Sequence, residues 1–312
     1  MLGCRSTLVA AFAAALGLAA GSFTTIAHAG LLDDAAGLAI VGGGDARDRV
    51  SFRLASVVDG DVCMSGGFVG SSSFVIGDIT AVDPQPAALR LRSASVLLGD
   101  LVTGGGAVRA VPRRATLPGL TVVRVPGGRR VAKRDGSGDY DTTGIDARVE
   151  ACRLAQASIV TAAAELREME GVADAGRISV PSRQSRVVTA PIPGRLNVVD
   201  VSRVTVGQNA ALVLDGGGDA DTVFVLRSAG RVRTRFGGTI GLTGELRAEN
   251  VIVLSGGACN AGQASHGAGT LLCPDSRISM HPGALWTGAL LGGRQVEIGA
   301  GASVAAISFT GQ

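Results

Sequence analysis

A short motif recurs in the first third of the chain and limits what it can fold into. Val58-Asp59-Gly60-Asp61-Val62, Val75-Ile76-Gly77-Asp78-Ile79 and Leu97-Leu98-Gly99-Asp100-Leu101 share the pattern apolar-x-Gly-Asp-apolar, with glycines 17 and 22 residues apart. A period of roughly 20 residues marks a unit that cannot bury its apolar face alone and must stack on further units. In such a stack the Gly-Asp pairs read as corners, where Asp accepts hydrogen bonds from backbone donors. The competing reading of Asp61, Asp78 and Asp100 is a carboxylate ladder for Ca²⁺ or for glycoside cleavage.

The C-terminal half continues in short apolar runs: LNVVDV (196–201), AALVLDG (210–216), TVFVLRS (222–228), GTIGLTG (238–244), NVIVLSG (250–256), ALWTGALLGG (284–293) and SVAAISF (303–309). Gly, Asn and Asp turns separate them, as strands require. A β-sandwich would need clean polar/apolar alternation, whereas VFVL, VIVL and ALVL are nearly continuous apolar runs and predict strands covered on both faces. One long helical pattern interrupts the strands, at about 145–170. Ile145, Val149, Cys152, Ala155, Ile159, Ala163, Leu166 and Met169 step by three and four along one stripe. Thr143 with Asp146 forms a capping-box-like start, and Gly171 is a natural stop. At ~1.5 Å per residue such a helix covers about eight strands spaced ~4.8 Å apart. The predicted fold is all-β with one long helix, an irregular β-solenoid braced by that helix. It forms a single domain over 30–312, with 30–50 as a lead-in or cap.

Composition fits this reading. Glycine takes 47 of 312 positions but follows no Gly-X-Y period, which excludes collagen. Charged residues make up 18% and mean hydropathy is +0.35, too apolar for a disordered tail. Aromatics make up 3%, too few for platforms that stack single-stranded bases, so no specific nucleic-acid partner is expected. The net charge of +3 is too small to drive binding by itself.

Residues 1–29 read as a signal peptide. Arg5 supplies the positive start, Leu8 to Gly21 the apolar stretch, and Ala27-His28-Ala29 the cleavage site. The mature chain is therefore expected to be secreted, periplasmic or at the cell surface, with no membrane span. Cleavage leaves Cys63, Cys152, Cys259 and Cys273, an even set that reads as two disulfides in an oxidising compartment. Three connectivities are open. The favoured one joins Cys259 to Cys273 around a Gly-rich loop and Cys63 to Cys152 on the helix. A zinc site at Cys259, His266 and Cys273 competes, although no CxxC pair is present.

Catalytic chemistry has little to stand on. His266, His281 and Lys133 are the mature chain's histidines and lysine, and both histidines read as turn residues. The Gly-rich stretches 42–45 and 216–219 lack P-loop and dinucleotide-binding spacings. The chain is predicted to be non-enzymatic and to need no cofactor. A basic stretch is more informative: Arg109, Arg113, Arg114, Arg124, Arg129, Arg130, Lys133 and Arg134, with no acid until Asp135. It could dock on an anionic polysaccharide, lipopolysaccharide or extracellular DNA, or it could be a solvated face in a chain with 28 Arg and one Lys.

The stretch from Ile192 onward resembles the bacterial ice-binding-like adhesin family. The resemblance rests on Ile192-Pro193-Gly194-Arg195-Leu196-Asn197, on Leu214-Asp215-Gly216-Gly217-Gly218-Asp219-Ala220-Asp221 and on Thr222-Val223-Phe224-Val225-Leu226. Val251 to Ala258, Trp286 to Leu291, Ile298 to Val304 and the early Phe74 to Ile79 extend it. The chain also resembles, more weakly, the choice-of-anchor A surface proteins. The resemblance implies a right-handed β-solenoid with a helix alongside, and secreted, non-enzymatic proteins that bind a surface or adhere. The partner would be an extracellular surface or polymer: ice, polysaccharide or the cell envelope. Ice binding needs a flat, regular, weakly hydrated face. Thr205, Thr222, Thr239 and Thr287 are the candidates for one, but no Thr-x-Thr ladder exists.

Overall fold

The computed structural model describes residues 37–43, 49–82, 89–92, 95–99, 101–103, 145–307 and 309–310, with Leu32 and Ala35. The described chain is a β-solenoid of parallel strands in three sheets of ten, nine and nine strands. Each full coil places one strand in each sheet. Leu196–Val201, for example, lies in the first sheet, Arg203–Val206 in the second and Ala211–Asp215 in the third. The helix α1, Ile145–Glu168, runs along the first sheet.

The coils do not stack in sequence order. Leu38–Gly42 pairs on one side with Asp61–Met64 and on the other with Leu290–Gly292, near the end of the chain. Arg49–Phe52 and Val57–Asp59 likewise sit on Val296–Ile298 and Ser303–Ala305. Residues 38–42 are thus an interior rung and not the expected lead-in or cap. Leu101–Thr103 ends the first sheet at one edge, and Ala173–Asp174 ends it at the other. The chain must return across ten strands, about 43 Å at ~4.8 Å per spacing. The 24-residue helix supplies about 36 Å of that path at ~1.5 Å per residue.

The first sheet is apolar on both faces, which explains its continuous runs. In Val223–Ser228, Phe224 and Leu226 point into the solenoid, while Val223 and Val225 pack towards the helix. Val251 and Val253 alternate with Ile252 and Leu254 in the same way, as Leu271 does with Leu272. The helix contributes Val149, Cys152, Ala155, Ile159, Ala162, Ala163 and Leu166 to this outer layer. The run ALVL differs from the expectation. It lies in the third sheet, where Leu212 and Leu214 are buried but Ala211 and Val213 stay half-buried on an uncovered face. Inside the solenoid, Phe52 and Phe68 meet edge to face with ring centroids 5.0 Å apart. Trp286 is buried and donates its Nε1–H to the Gly269 carbonyl at 2.7 Å. Its ring occupies the space where Gly267 would otherwise carry a Cβ.

The recurring Gly-Asp motif marks the corner between the third and first sheets. Gly60 (φ +125°) and Gly77 (φ +139°) lie over each other, and a Cβ on Gly77 would come within 2.6 Å of the Gly60 carbonyl oxygen. Gly269 and Gly288 repeat the arrangement in the C-terminal coils, at φ +95° and +134°. Positive φ and a backbone one strand away both select glycine here. Asp61 Oδ1 accepts the Asp78 N–H of the next coil at 2.7 Å, which is the corner role read from the sequence.

Both favoured disulfides are present. Cys63–Cys152 joins the first sheet to α1 with Cα atoms 5.5 Å apart, and Cys259–Cys273 links the second and first sheets inside the core at 6.5 Å. They remove these thiols from the alternative zinc site. The helix stops at Glu168, short of Gly171. A Cβ at Gly171 would lie 2.1 Å from Asp200 Oδ2, so the glycine admits a side-chain cluster at the helix end. Thr143 lies outside the described residues.

Candidate functional site

A solenoid offers its environment three faces, and here they differ in chemistry. The first sheet is closed by α1. Arg227 locks the end of that helix. Its Nη1 donates to the carbonyls of Leu166, Arg167 and Met169 at 2.6, 3.0 and 2.7 Å. Its Nε and Nη2 form a fork with Asp200 at 2.5 and 2.8 Å. The hydrogen bond it donates to Asp200 raises the guanidinium pKa above its ordinary value, against the opposing effect of burial. A positive charge at a helix C-terminus is favoured by the helix dipole. The cleft beside this pair, of about 570 Å³, is also lined by Arg167, Asp174 and Ser202. Its main charged groups are spent on structure: Arg227 on Asp200 and Arg167 on Asp275.

The second sheet turns a basic face outward. Its inner column runs Ile178, Val204, Val232, Cys259, Ile278, Val296, Val50 and Phe68. The positions just before these carry Arg177, Arg203, Arg231, Ala258, Arg277, Gln295, Arg49 and Gly67. Arg233, Arg235 and Arg53 add further charge on the same coils.

The third sheet turns an almost uncharged face outward. Ser185, Ala211, Thr239, His266, Leu285, Ser303, Val57 and Phe74 form one column. Val187, Val213 and Gly241 share the next position on three coils, and Ala268, Thr287, Ala305, Asp59 and Ile76 share it on the following five.

The structure does not bring the four candidate threonines together. Thr239 and Thr287 share the third sheet but stand in different columns. Thr205 lies on the second sheet between Ser179 and Arg233. Thr222 is fully buried at a corner, where its hydroxyl donates to the Gly216 carbonyl at 2.9 Å and accepts the Gly194 N–H at 2.8 Å. A hydroxyl satisfied by its own corner has no outward role, and nothing in strand periodicity distinguishes a corner Thr from a face Thr. Arg109, Arg113, Arg114, Arg124, Arg129, Arg130, Lys133 and Arg134 lie outside the described residues. His266 is exposed on the third sheet, and His281 is exposed at a corner beside Pro282. Among the described residues no group of three or more His, Cys, Asp or Glu is placed to hold a metal ion. No helix among them is long and apolar enough to cross a membrane.

The sequence reading missed the arginine column, because its positions lie 18 to 28 residues apart on consecutive coils, two of them without arginine, and Arg49 comes from the far end of the chain, so they align only once the register is known.

Solved structures share this architecture. The ice-binding protein of the Antarctic ascomycete Antarctomyces psychrotrophicus superposes with a TM-score of 0.56 at 18% identity, covering 88% of this chain and 96% of that one. An ice-binding protein from an Arctic yeast gives 0.53 at 19%, covering 88% and 93%. The ice-binding protein 1 domain of Shewanella frigidimarina gives 0.53 at 17%, covering 88% and 96%. At these identities the likeness concerns the fold. No match is found among curated protein sequences. A family model described as ice-binding-like matches residues 137–302, more than half of the chain, from just before α1 to the last coil. Together with the helix-braced solenoid, that match identifies the chain as a member of the ice-binding-like family.

Proposed function

We propose that the protein is a secreted, non-enzymatic ice-binding protein that presents the outward face of its third sheet to ice. The observation that carries this reading is the surface chemistry of that sheet. On its central coils Ala211, Val213, Thr239, Gly241, Ala268, Thr287, Ser303 and Ala305 are small and uncharged, in columns interrupted by the exposed His266 and Leu285. Parallel strands fix their repeat at ~4.8 Å, and buried neighbours hold the backbone still. Such a surface holds its water weakly and presents a regular lattice. The second sheet, studded with guanidinium groups, binds its water strongly and is unsuited to ice. Several solved structures with this fold are named as ice-binding proteins, which supports the reading. Export is supported by the signal-like residues 1–29 and by two disulfides, which persist in oxidising compartments. The remainder, 30–312, is read as one solenoid domain.

Without a continuous threonine column the expected activity is inhibition of ice recrystallisation, with little thermal hysteresis. Both are measured on the purified chain and on Ala268→Glu/Thr287→Glu, which places two charges on the array. Loss of recrystallisation inhibition in this variant, with folding retained, supports the reading. Activity in neither assay, or activity indifferent to these changes, refutes it.

A second reading, adhesion to a cell envelope or another surface, is favoured by the other end of the same sheet. Val57, Ile76 and Leu98 are exposed there, and clustered apolar surface marks contact sites. Retention of the protein on washed envelopes, lost on Ile76→Glu/Leu98→Glu, is the corresponding test.

A further inference from the structure

The arginines of the second sheet form a line, not a scatter. Arg177 and Arg203 are directly paired, and Arg231 stands on the next coil, where its carbonyl accepts the Val204 N–H at 3.1 Å. Arg277 and Arg49 continue the column after Ala258 and Gln295. From Arg177 to Arg49 the line crosses seven coils, about 29 Å at ~4.8 Å per spacing.

Like charges directly opposite each other on neighbouring strands repel, so a stacked arginine column works against the fold. Four arginines outside this sheet face acids: Arg148 faces Asp78, Arg153 faces Glu150, Arg167 faces Asp275 and Arg227 faces Asp200, while isolated ones such as Arg195 and Arg247 are exposed to water. No arginine in this column makes an ion pair among the described residues. Glu297 is the one acid among the described outward residues of the sheet, and its Oε1 accepts a hydrogen bond from Gln295 Nε2 at 2.8 Å. An uncompensated column of this kind calls for an external anion that repeats along a line.

We propose that the outward face of the second sheet docks a linear polysaccharide bearing a carboxylate on each sugar, laid along the solenoid axis. Three features select this occupant. The guanidinium fork matches a carboxylate with two parallel hydrogen bonds, and a row of such forks reads a row of carboxylates. The positions recur once per coil along the stack, so the line follows an extended chain over its full length. Among the described outward residues of the sheet's strands there is no aromatic side chain to stack the bases of a single strand, and the exposed Phe236 lies at the corner beyond Arg235. This face is separate from the uncharged third sheet, so the inference stands or falls independently of ice binding.

The test is titration of the purified protein with polygalacturonate by calorimetry at several NaCl concentrations, with neutral dextran and sheared duplex DNA alongside. Binding to polygalacturonate is expected, weakening as salt rises, with none to dextran. Arg203→Glu/Arg231→Glu is expected to weaken it at least about tenfold, because it reverses two adjacent forks in the unbroken part of the line. Arg195→Glu/Arg247→Glu makes the same change in net charge at exposed positions outside the second sheet, and is expected to leave binding within about twofold. Should the first pair disturb folding, Arg231→Gln/Arg277→Gln removes two exposed charges more gently. No binding, equal loss in both charge-reversal pairs, or insensitivity to salt overturns the proposal. Tighter binding of DNA, lost on the same pair, overturns the assignment to polysaccharide.

Discussion

Removing the Arg227 side chain should loosen the end of the helix and measure how firmly α1 is tied to the solenoid. Arg227→Met keeps the aliphatic stem and deletes five contacts: three to helix carbonyls and two to Asp200. Its side chain is 15% exposed and that of Asp200 is 36%, so water can replace part of what is lost. The charge–dipole contribution at a helix C-terminus is about 1 kcal/mol, up to ~2 when partly buried. A half-exposed carboxylate pair adds up to about 1 kcal/mol. Leaving Asp200 unpaired beside the sheet adds about another 1 kcal/mol. The expected loss is therefore about 2–4 kcal/mol, which lowers Tm by roughly 3–7 °C for a domain of this size. The assay is thermal unfolding followed by circular dichroism, with a double-mutant cycle against Asp200→Asn. That variant alone should cost about 1 kcal/mol, because Arg227 keeps its carbonyls. The pair should couple by at least ~0.5 kcal/mol. A Tm for Arg227→Met within about 1 °C of the parent would refute the assignment of Arg227 as the helix lock.

Other perturbations probe other links. Cys63→Ala/Cys152→Ala opens a loop of 89 residues, for which chain entropy implies a loss of up to about 4.6 kcal/mol, read as the shift in denaturant midpoint. Gly267→Ala drives a methyl group into the Trp286 ring, which lies 2.0 Å from the would-be Cβ, and should cost about 3 kcal/mol or fail to fold. Trp286 is the single tryptophan and is 3% exposed, so the folded protein should show blue-shifted emission that resists acrylamide quenching. Red-shifted, easily quenched emission would contradict the core described above. Asn197→Ala removes three hydrogen bonds to the backbone of Ile192 and Arg195 at a fully buried position, and should cost about 2–3 kcal/mol in chemical denaturation.

Much of the architecture was legible along the chain. The run Val223-Phe224-Val225-Leu226 alternates between two apolar environments, so it reads as a strand covered on both sides, and it is one. The same reasoning fails for Ala211-Leu212-Val213-Leu214, which has the same apolar density but leaves one side uncovered. Local pattern reports side-chain alternation and not what a neighbouring element covers. The helix stripe was readable from Val149 to Leu166 because burial follows its period. Its end was not, since Arg227 reaches it from 60 residues away.

The strand runs, the helix stripe and the Gly-Asp corners are legible in the order of residues, because side-chain alternation and turn geometry depend on neighbours a few positions apart. The disulfide partners also follow in part, from cysteine parity and the position of Cys152 on the helical stripe. Folding in three dimensions decided two other things. The first coil seats on the last, because the helix returns the chain from one edge of the stack to the other. Coils of 18 to 28 residues bring distant arginines into one column and small uncharged residues into another. Unequal corner loops hide that alignment from any fixed period, whereas backbone hydrogen bonding between coils enforces it rung by rung.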